Sequence, residues 1–244
     1  MIVCTIGDLL LDVVVRPQGT PAPGADVGAT TRMTVGGQAA NVAAWAAHLG
    51  ATSRFVGKRG DDLAGQLAAA ALESRGVTVL GPVAVGPTGT VVAMLDAAGE
   101  RSMLSDRGVS PQLDPAELQQ EWFEGVGRLH VTGYSLIREP MLHAAAAASQ
   151  WARAEGARVS LDLSAWPLIA EVGALEFRRR VGTIGPEVIF GTAAEFDAMG
   201  GVPAVQVAVI KDGWFGDTSR MFCVGTPSIQ AKRLAEITYE AMWQ

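Results

Sequence analysis

The stretch Gly36-Gly37-Gln38-Ala39-Ala40-Asn41-Val42-Ala43 holds the most chemically suggestive spacing in the chain. Two glycines where an extended run meets a helix permit positive φ and let a ligand approach the backbone closely. The first turn of that helix offers N–H groups with no intrahelical acceptor. Asn41, one turn in, carries an amide that both donates and accepts, which suits a polar ligand. The same residues also suit a tight strand–helix connection with an incidental asparagine.

A second group is Gly7-Asp8-Leu9-Leu10-Leu11-Asp12, directly after the apolar run Ile2–Ile6. Ligands of open α/β sheets bind beyond the carboxyl ends of strands, where both carboxylates are expected. One carboxylate accepts two hydroxyl hydrogen bonds, a natural contact for a sugar. Asp8 reads as a turn residue, solvated or accepting backbone N–H groups, and Asp12 as the ligand. Other reactive side chains lack a pattern. His48, His130 and His143 have no metal-ligand spacing, and His130 reads as a hydrogen-bonded core residue. Cys4 and Cys223 read as small buried side chains rather than a disulfide or metal framework. Arg178-Arg179-Arg180 suits a solvated helix face or a partner for a helix C-terminus better than a phosphate clamp. No Ser/His/Asp or Cys/His nucleophile arrangement stands out.

The elements that must position these residues alternate. Ile2–Ile6, Arg54–Val56, Leu129–Thr132, Val159–Leu163, Val188–Phe190 and Val205–Ile210 read as strands buried on both faces. Ala39–Leu49, Asp62–Ser74, Glu139–Glu155 and Glu195–Met199 read as the helices between them. That rhythm predicts a parallel sheet with helices on both sides in a single α/β domain. Two extended insertions, 13–35 and 88–105, break the rhythm and are expected to pair as a small extra sheet. The second predicts a hairpin around Asp96-Ala97-Ala98-Gly99.

Composition excludes other classes. With 244 residues, 49% hydrophobic and 18% charged, the chain has ample material for one large core and too little charge for disorder. A net charge of −6 argues against gripping nucleic acid or an anionic membrane. The N-terminus reads as no signal peptide and no apolar run suits a membrane span, so a cytoplasmic protein is expected.

Taken in order, these motifs resemble ribokinase-like (PfkB) carbohydrate kinases over about residues 1–216. The resemblance runs through Gly7…Asp12, Gly36-Gly37-x-x-x-Asn41, His48-Leu49-Gly50-Ala51 and Val56-Gly57-Lys58-Arg59-Gly60-Asp61-Asp62-Leu63-Ala64-Gly65. It continues through Gly99-Glu100-Arg101, Arg107-Gly108, Asp162 and Val209-Ile210-Lys211-Asp212-Gly213-Trp214-Phe215-Gly216. The resemblance implies transfer of the ATP γ-phosphate, with Mg²⁺, to a hydroxymethyl group of a small sugar. It implies a ribokinase-like α/β fold, a doubly wound, mostly parallel sheet with helices on both faces. It also implies a small β-lid over the sugar, formed by the two insertions, and pairing of lids in a homodimer. By position, Asp12, Gly36, Gly37, Asn41 and Arg107 fall on the substrate side. Thr192, Glu195, Lys211 and Gly213 fall on the nucleotide side, with Glu195 meeting Mg²⁺ through water.

The chain departs from the family in three places. The family's Asn-x-x-Glu stands as Thr192-Ala193-Ala194-Glu195, and its Asp-x-Asn as Asp162-Leu163-Ser164. The signature Asp-Thr-x-Gly-Ala-Gly-Asp has no counterpart after Gly216. In the family its glycines form an anion hole and its last Asp takes the proton, two of the main contributions to phosphoryl transfer. Residues 217–244 also hold a single glycine, Gly225. The alternative expectation is therefore a sugar- or nucleotide-binding protein without transfer chemistry, or a truncated or frameshifted kinase fragment.

Overall fold

The computed structural model describes residues 1–21, 23–96 and 100–201, with the backbone of short strands at 210–211, 214–215 and 220–223. The first half runs β1 (Ile2–Ile6), β2 (Leu10–Pro17), β3 (Ala29–Gly36), α1 (Gln38–His48), β4 (Thr52–Val56), β5 (Arg59–Gly60), α2 (Leu63–Glu73), β6 (Val77–Leu80), β7 (Val83–Ala84), β8 (Thr88–Leu95) and β9 (Arg101–Gly108). Beyond it come β10 (Val126–Thr132), α3 (Met141–Ala154), β11 (Arg158–Asp162), α4 (Trp166–Val172), α5 (Ala174–Ile184), β12 (Val188–Gly191) and α6 (Ala193–Ala198). The last strands are β13 (Ile210–Lys211), β14 (Trp214–Phe215) and β15 (Arg220–Cys223).

The main sheet has the order β15-β12-β11-β10-β1-β4-β6. Every pairing in it is parallel except that β15 joins the β12 edge antiparallel. Strand period two sorts its side chains between two layers. Cys4, Ile6, Val56, Leu129 and Val131 pack with α3, α5 and the large rings Phe123 and Phe177. Phe55, on the opposite face, packs with the alanines of α1 and with Leu72 of α2. Those alanines let α1 approach the strands so closely that Thr5 and Ser53 donate hydroxyl bonds to the carbonyls of Ala39 (2.9 Å) and Ala43 (2.7 Å). Two buried hydroxyls thus find partners inside an apolar layer.

A second sheet of four strands, in the order β3-β2-β8-β9, is built from the two insertions. β2 pairs antiparallel with β3 and parallel with β8, and β8 pairs antiparallel with β9. The expected hairpin is present: Asp96 donates its N–H to the Glu100 carbonyl and its carboxylate accepts the Glu100 N–H in return. The insertions do pair, and their strands reach beyond the expected limits, to Leu10 and to Gly108.

Within the described residues, the elements expected from the rhythm form within a few residues of their forecast ends. Missed were β6 and the short strands β5 and β7, along with α4 and α5 in the proline- and arginine-bearing stretch after Asp162. The expected strand Val205–Ile210 lies outside the described residues apart from Ile210. The 217–244 tail is likewise outside them, save for the β15 backbone.

His130 needs a correction. Its Nδ1 meets the Ser160 hydroxyl at 3.0 Å, but Nε2 is buried without a partner among the described residues. Burial pushes its pKa down to about 4. Above pH ~6.5 the ring is neutral both folded and unfolded; below that, the unfolded chain binds a proton that the folded chain refuses. Stability is therefore lost as pH falls from ~6.5 towards 4, by about 3 kcal/mol in total. Urea unfolding of the wild type and His130→Met at pH 7 and pH 4.5 checks this. The wild type should lose about 2–3 kcal/mol more than the variant over that span; equal losses would contradict it.

Candidate functional site

The proposed sugar-side residues meet where β1 ends, α1 begins and the second sheet folds over. Gly37 precedes α1 with φ +95°, a conformation that favours glycine. A Cβ on Gly37 would lie 2.2 Å from the Asp8 carbonyl oxygen, and one on Gly36 would lie 2.0 Å from Asp12 Oδ1. Both glycines are thus required for close approach. The groups that approach them belong to the chain itself, to Asp8 and Asp12.

Asp12 is a residue of β2, within the second sheet, rather than of a turn beyond β1 as the sequence suggested. It pairs across the ladder with Thr34. Its Oδ1 is buried with no hydrogen-bond partner among the described residues. Burial raises its pKa above the ordinary carboxylate value. A buried carboxylate oxygen lacking a donor is costly and rare in a folded chain.

Asp8 is buried rather than solvated, and among the described residues its carboxylate accepts no backbone N–H bond. Its carboxylate receives Nε and one terminal nitrogen of Arg107 at 2.8 and 2.9 Å, a bidentate ion pair with a side chain only 6% exposed. The same Arg107 nitrogen donates to the Tyr134 carbonyl at 3.1 Å, and the guanidinium lies 5.6 Å above the Tyr134 ring. Arg107, expected on the substrate side, is therefore engaged by protein groups.

Asn41 is exposed on α1. It lines a cavity of about 380 Å³ with Ala44, Trp45, His48 and Arg75. The Trp45 and His48 rings meet edge to face at 5.4 Å. Arg75 reaches towards the hydroxyl of Thr34, the ladder partner of Asp12, at 3.5 Å.

On the nucleotide side, Thr192 and Glu195 form a capping box at the start of α6. The Thr192 hydroxyl accepts the Glu195 N–H at 3.3 Å, and Glu195 Oε2 accepts the Thr192 N–H at 2.6 Å. A threonine in place of the family's asparagine is thus a good helix cap. Glu195 is buried. No cluster of three or more His, Cys, Asp or Glu side chains suited to a metal ion occurs among the described residues. Lys211 lies in β13, and Gly213 lies outside the described residues.

Sequence reasoning missed the contacts around Ser164. Its backbone takes φ +72°, where asparagine and glycine are the favoured residues. Asp162 Oδ1 accepts the Ser164 N–H at 2.9 Å, and the Ser164 hydroxyl donates to Gln38 Oε1. The Asp-x-Asn to Asp-x-Ser change thus falls on a left-handed position, and the hydroxyl ties the end of β11 to the first residue of α1.

The fold and these motifs define a ribokinase-like α/β protein with a β-sheet lid. The pattern described as "pfkB family carbohydrate kinase" matches residues 2–213, and the chain belongs to that family. Fructokinase-1 of Oryza sativa subsp. japonica is 31% identical over 223 residues, covering 87% of this chain and 67% of that protein. Fructokinase-2 of Solanum lycopersicum is 34% identical over 181 residues, which span 70% of this chain and only 53% of that protein. Adenosine kinase of Sinorhizobium meliloti shares the fold with TM-score 0.62 at 19% identity, covering 78% of this chain and 73% of that one. Fructokinase of Xylella fastidiosa with bound ATP superposes with TM-score 0.59 at 19% identity, over 78% and 71% of the two chains. A different match is short and strong: 43 residues are 54% identical to methionine aminopeptidase of Rickettsia prowazekii, 18% of this chain and 17% of that protein. No helix among the described residues is long and apolar enough to cross a membrane.

Gly37→Ala tests the close approach. Strain at positive φ and a 2.2 Å clash with backbone should cost about 2 kcal/mol or more. Thermal melting reads this as a lowered Tm; an unchanged Tm would contradict the geometry.

Proposed function

We propose that the chain binds a small sugar between Asp12 and the start of α1, and that this sugar is the acceptor for the γ-phosphate of ATP. The observation that carries the reading is the buried, unpartnered Oδ1 of Asp12. A sugar hydroxyl would give that oxygen the donor it lacks. Gly36 and Gly37 let the Asp12 carboxylate and the Asp8 backbone lie against the start of α1, and Asn41, one helical turn on, would offer an amide from the cavity it lines. The names of the plant relatives favour fructose as the sugar. ATP would lie towards Thr192 and Glu195, with Mg²⁺ reached through water because the capping box engages the Glu195 carboxylate. Pairing of second sheets in a homodimer belongs to the same reading, Met33, Met103 and Leu104 being exposed on them.

Titration calorimetry of the full chain with fructose tests the sugar site. Asp12→Ala should weaken binding about tenfold or more, the scale of a hydrogen bond to a charged group, with Tm preserved. Affinity should also fall as pH drops through a midpoint above the ordinary ~3.9 of an aspartate, because the acceptor is lost on protonation. Equal affinity of wild type and variant would contradict the site. ADP release in the same sample separates transfer from binding alone.

A second reading concerns the far end of the chain. The 54% identity to the aminopeptidase exceeds the 31% and 34% to the fructokinases. We infer that this likeness falls on the last 43 residues, 202–244. The kinase pattern stops at residue 213, and glycine thins out after Gly216. On this reading Lys211-x-Gly213 belongs to a peptidase-like stretch, and the nucleotide contacts fall to residues before it. Lys211→Ala should then leave ATP affinity within about twofold of wild type; a loss of about tenfold would return Lys211 to the nucleotide site.

A further inference from the structure

β9 is the edge strand of the second sheet, and its residues from Arg101 to Asp106 are exposed. Its backbone pairs, among the described residues, only with β8. Among the described residues, the side-chain hydrogen bonds that lead from β9 to the main-sheet layer all come from Arg107. They end on Asp8, just past β1, and on Tyr134, just past β10. One guanidinium therefore spans from the lid to the rim where two neighbouring parallel strands terminate.

Asp8 links this clamp to the junction at Gly37. Its carboxylate holds Arg107, while its carbonyl oxygen packs against Gly37. Gly89, on β8, has its Cβ direction filled by Leu10 and by the Arg107 backbone. Leu10 lies two residues before Asp12 on β2. The chain of contacts thus runs Asp8, Arg107, Gly89, Leu10, Asp12. Fork-to-fork geometry fixes the angle of the guanidinium as well as its distance, so the pair sets an orientation and not merely an attraction. Both partners are largely desolvated, which makes removal of either charge felt at the other.

We propose that Asp8 is a positioning residue: through the fork to Arg107 it seats the four-stranded lid so that the Asp12 carboxylate lies against Gly36 at the proposed sugar site. Arg107 then acts on the sugar through lid placement and not by contact, and the proposal rests on the sugar reading only for its binding readout. The Tyr134 ring beneath the guanidinium buries the clamp, and burial with the nearby Asp8 charge holds its phenol protonated by raising its pKa.

The test uses the full chain as wild type, Asp8→Asn, Arg107→Gln, Arg107→Lys and the Asp8→Asn/Arg107→Gln double variant. Hydrogen exchange without sugar reads the lid directly. Each single variant should speed exchange in 88–108 by about threefold or more and leave 141–162 unchanged. Calorimetry with fructose should show about tenfold weaker binding for Asp8→Asn and for Arg107→Gln, with the double variant no worse than either. Arg107→Lys, which keeps the charge and loses the fork, should fall between wild type and Arg107→Gln. Unchanged lid exchange, or losses that multiply in the double variant, would overturn the proposal. If the wild type binds no fructose, the sugar reading fails while lid exchange alone still decides the clamp.

Discussion

The arrangement of the site depends on a backbone contact that only glycine permits. At Gly37 the chain turns from β3 into α1 with its Cα facing the Asp8 carbonyl, and any side chain there would collide with it. That contact fixes the end of β1, the start of α1 and the root of the second sheet against one another. The alanines of α1 extend the same logic along the helix, because small side chains let Thr5 and Ser53 reach its carbonyls. Close packing of thin elements leaves the rim of the sheet as the place where polar groups gather.

From that rim the polar groups divide into two kinds. Asp8, Ser164 and Glu195 spend their capacity on the protein: an ion pair with Arg107, bonds to Gln38 and to Asp162, and a helix cap. Asp12 does not, since one of its oxygens is buried without a donor among the described residues. The difference matters for function. Groups already satisfied hold geometry, while an unsatisfied buried acceptor is where the proposed sugar hydroxyl would bind.

Much of this was legible in the sequence. Apolar runs alternating with alanine-rich stretches specify the parallel sheet, because buried strands and amphipathic helices leave different periods. The Gly36-Gly37 pair marked the tight junction for the right physical reason, although the groups that crowd it are Asp8 and Asp12. Pairing across long sequence separation could not be read. Nothing local to Asp8 points to Arg107, ninety-nine residues away in sequence. The same holds for Ser164 and Gln38, and for the half-satisfied His130. The value of Thr192 as an N-cap shows only once α6 is placed. The short strands β5 and β7 lack enough residues to carry a period at all.

The kinase family match and the lid account for residues up to about 213, and a separate, short likeness to a peptidase stands beside them. Four of the residues proposed for the sugar side, Asp12, Gly36, Gly37 and Asn41, lie in the first fifth of the chain. Everything proposed for this protein turns on where a sugar sits. A crystal structure of the full chain soaked with fructose locates it directly. A fructose hydroxyl should lie within hydrogen-bond distance of Asp12 Oδ1, with the Arg107–Asp8 fork intact beside it. Fructose seated instead in the Trp45–His48–Arg75 cavity, with Asp12 still unpartnered, would contradict this placement.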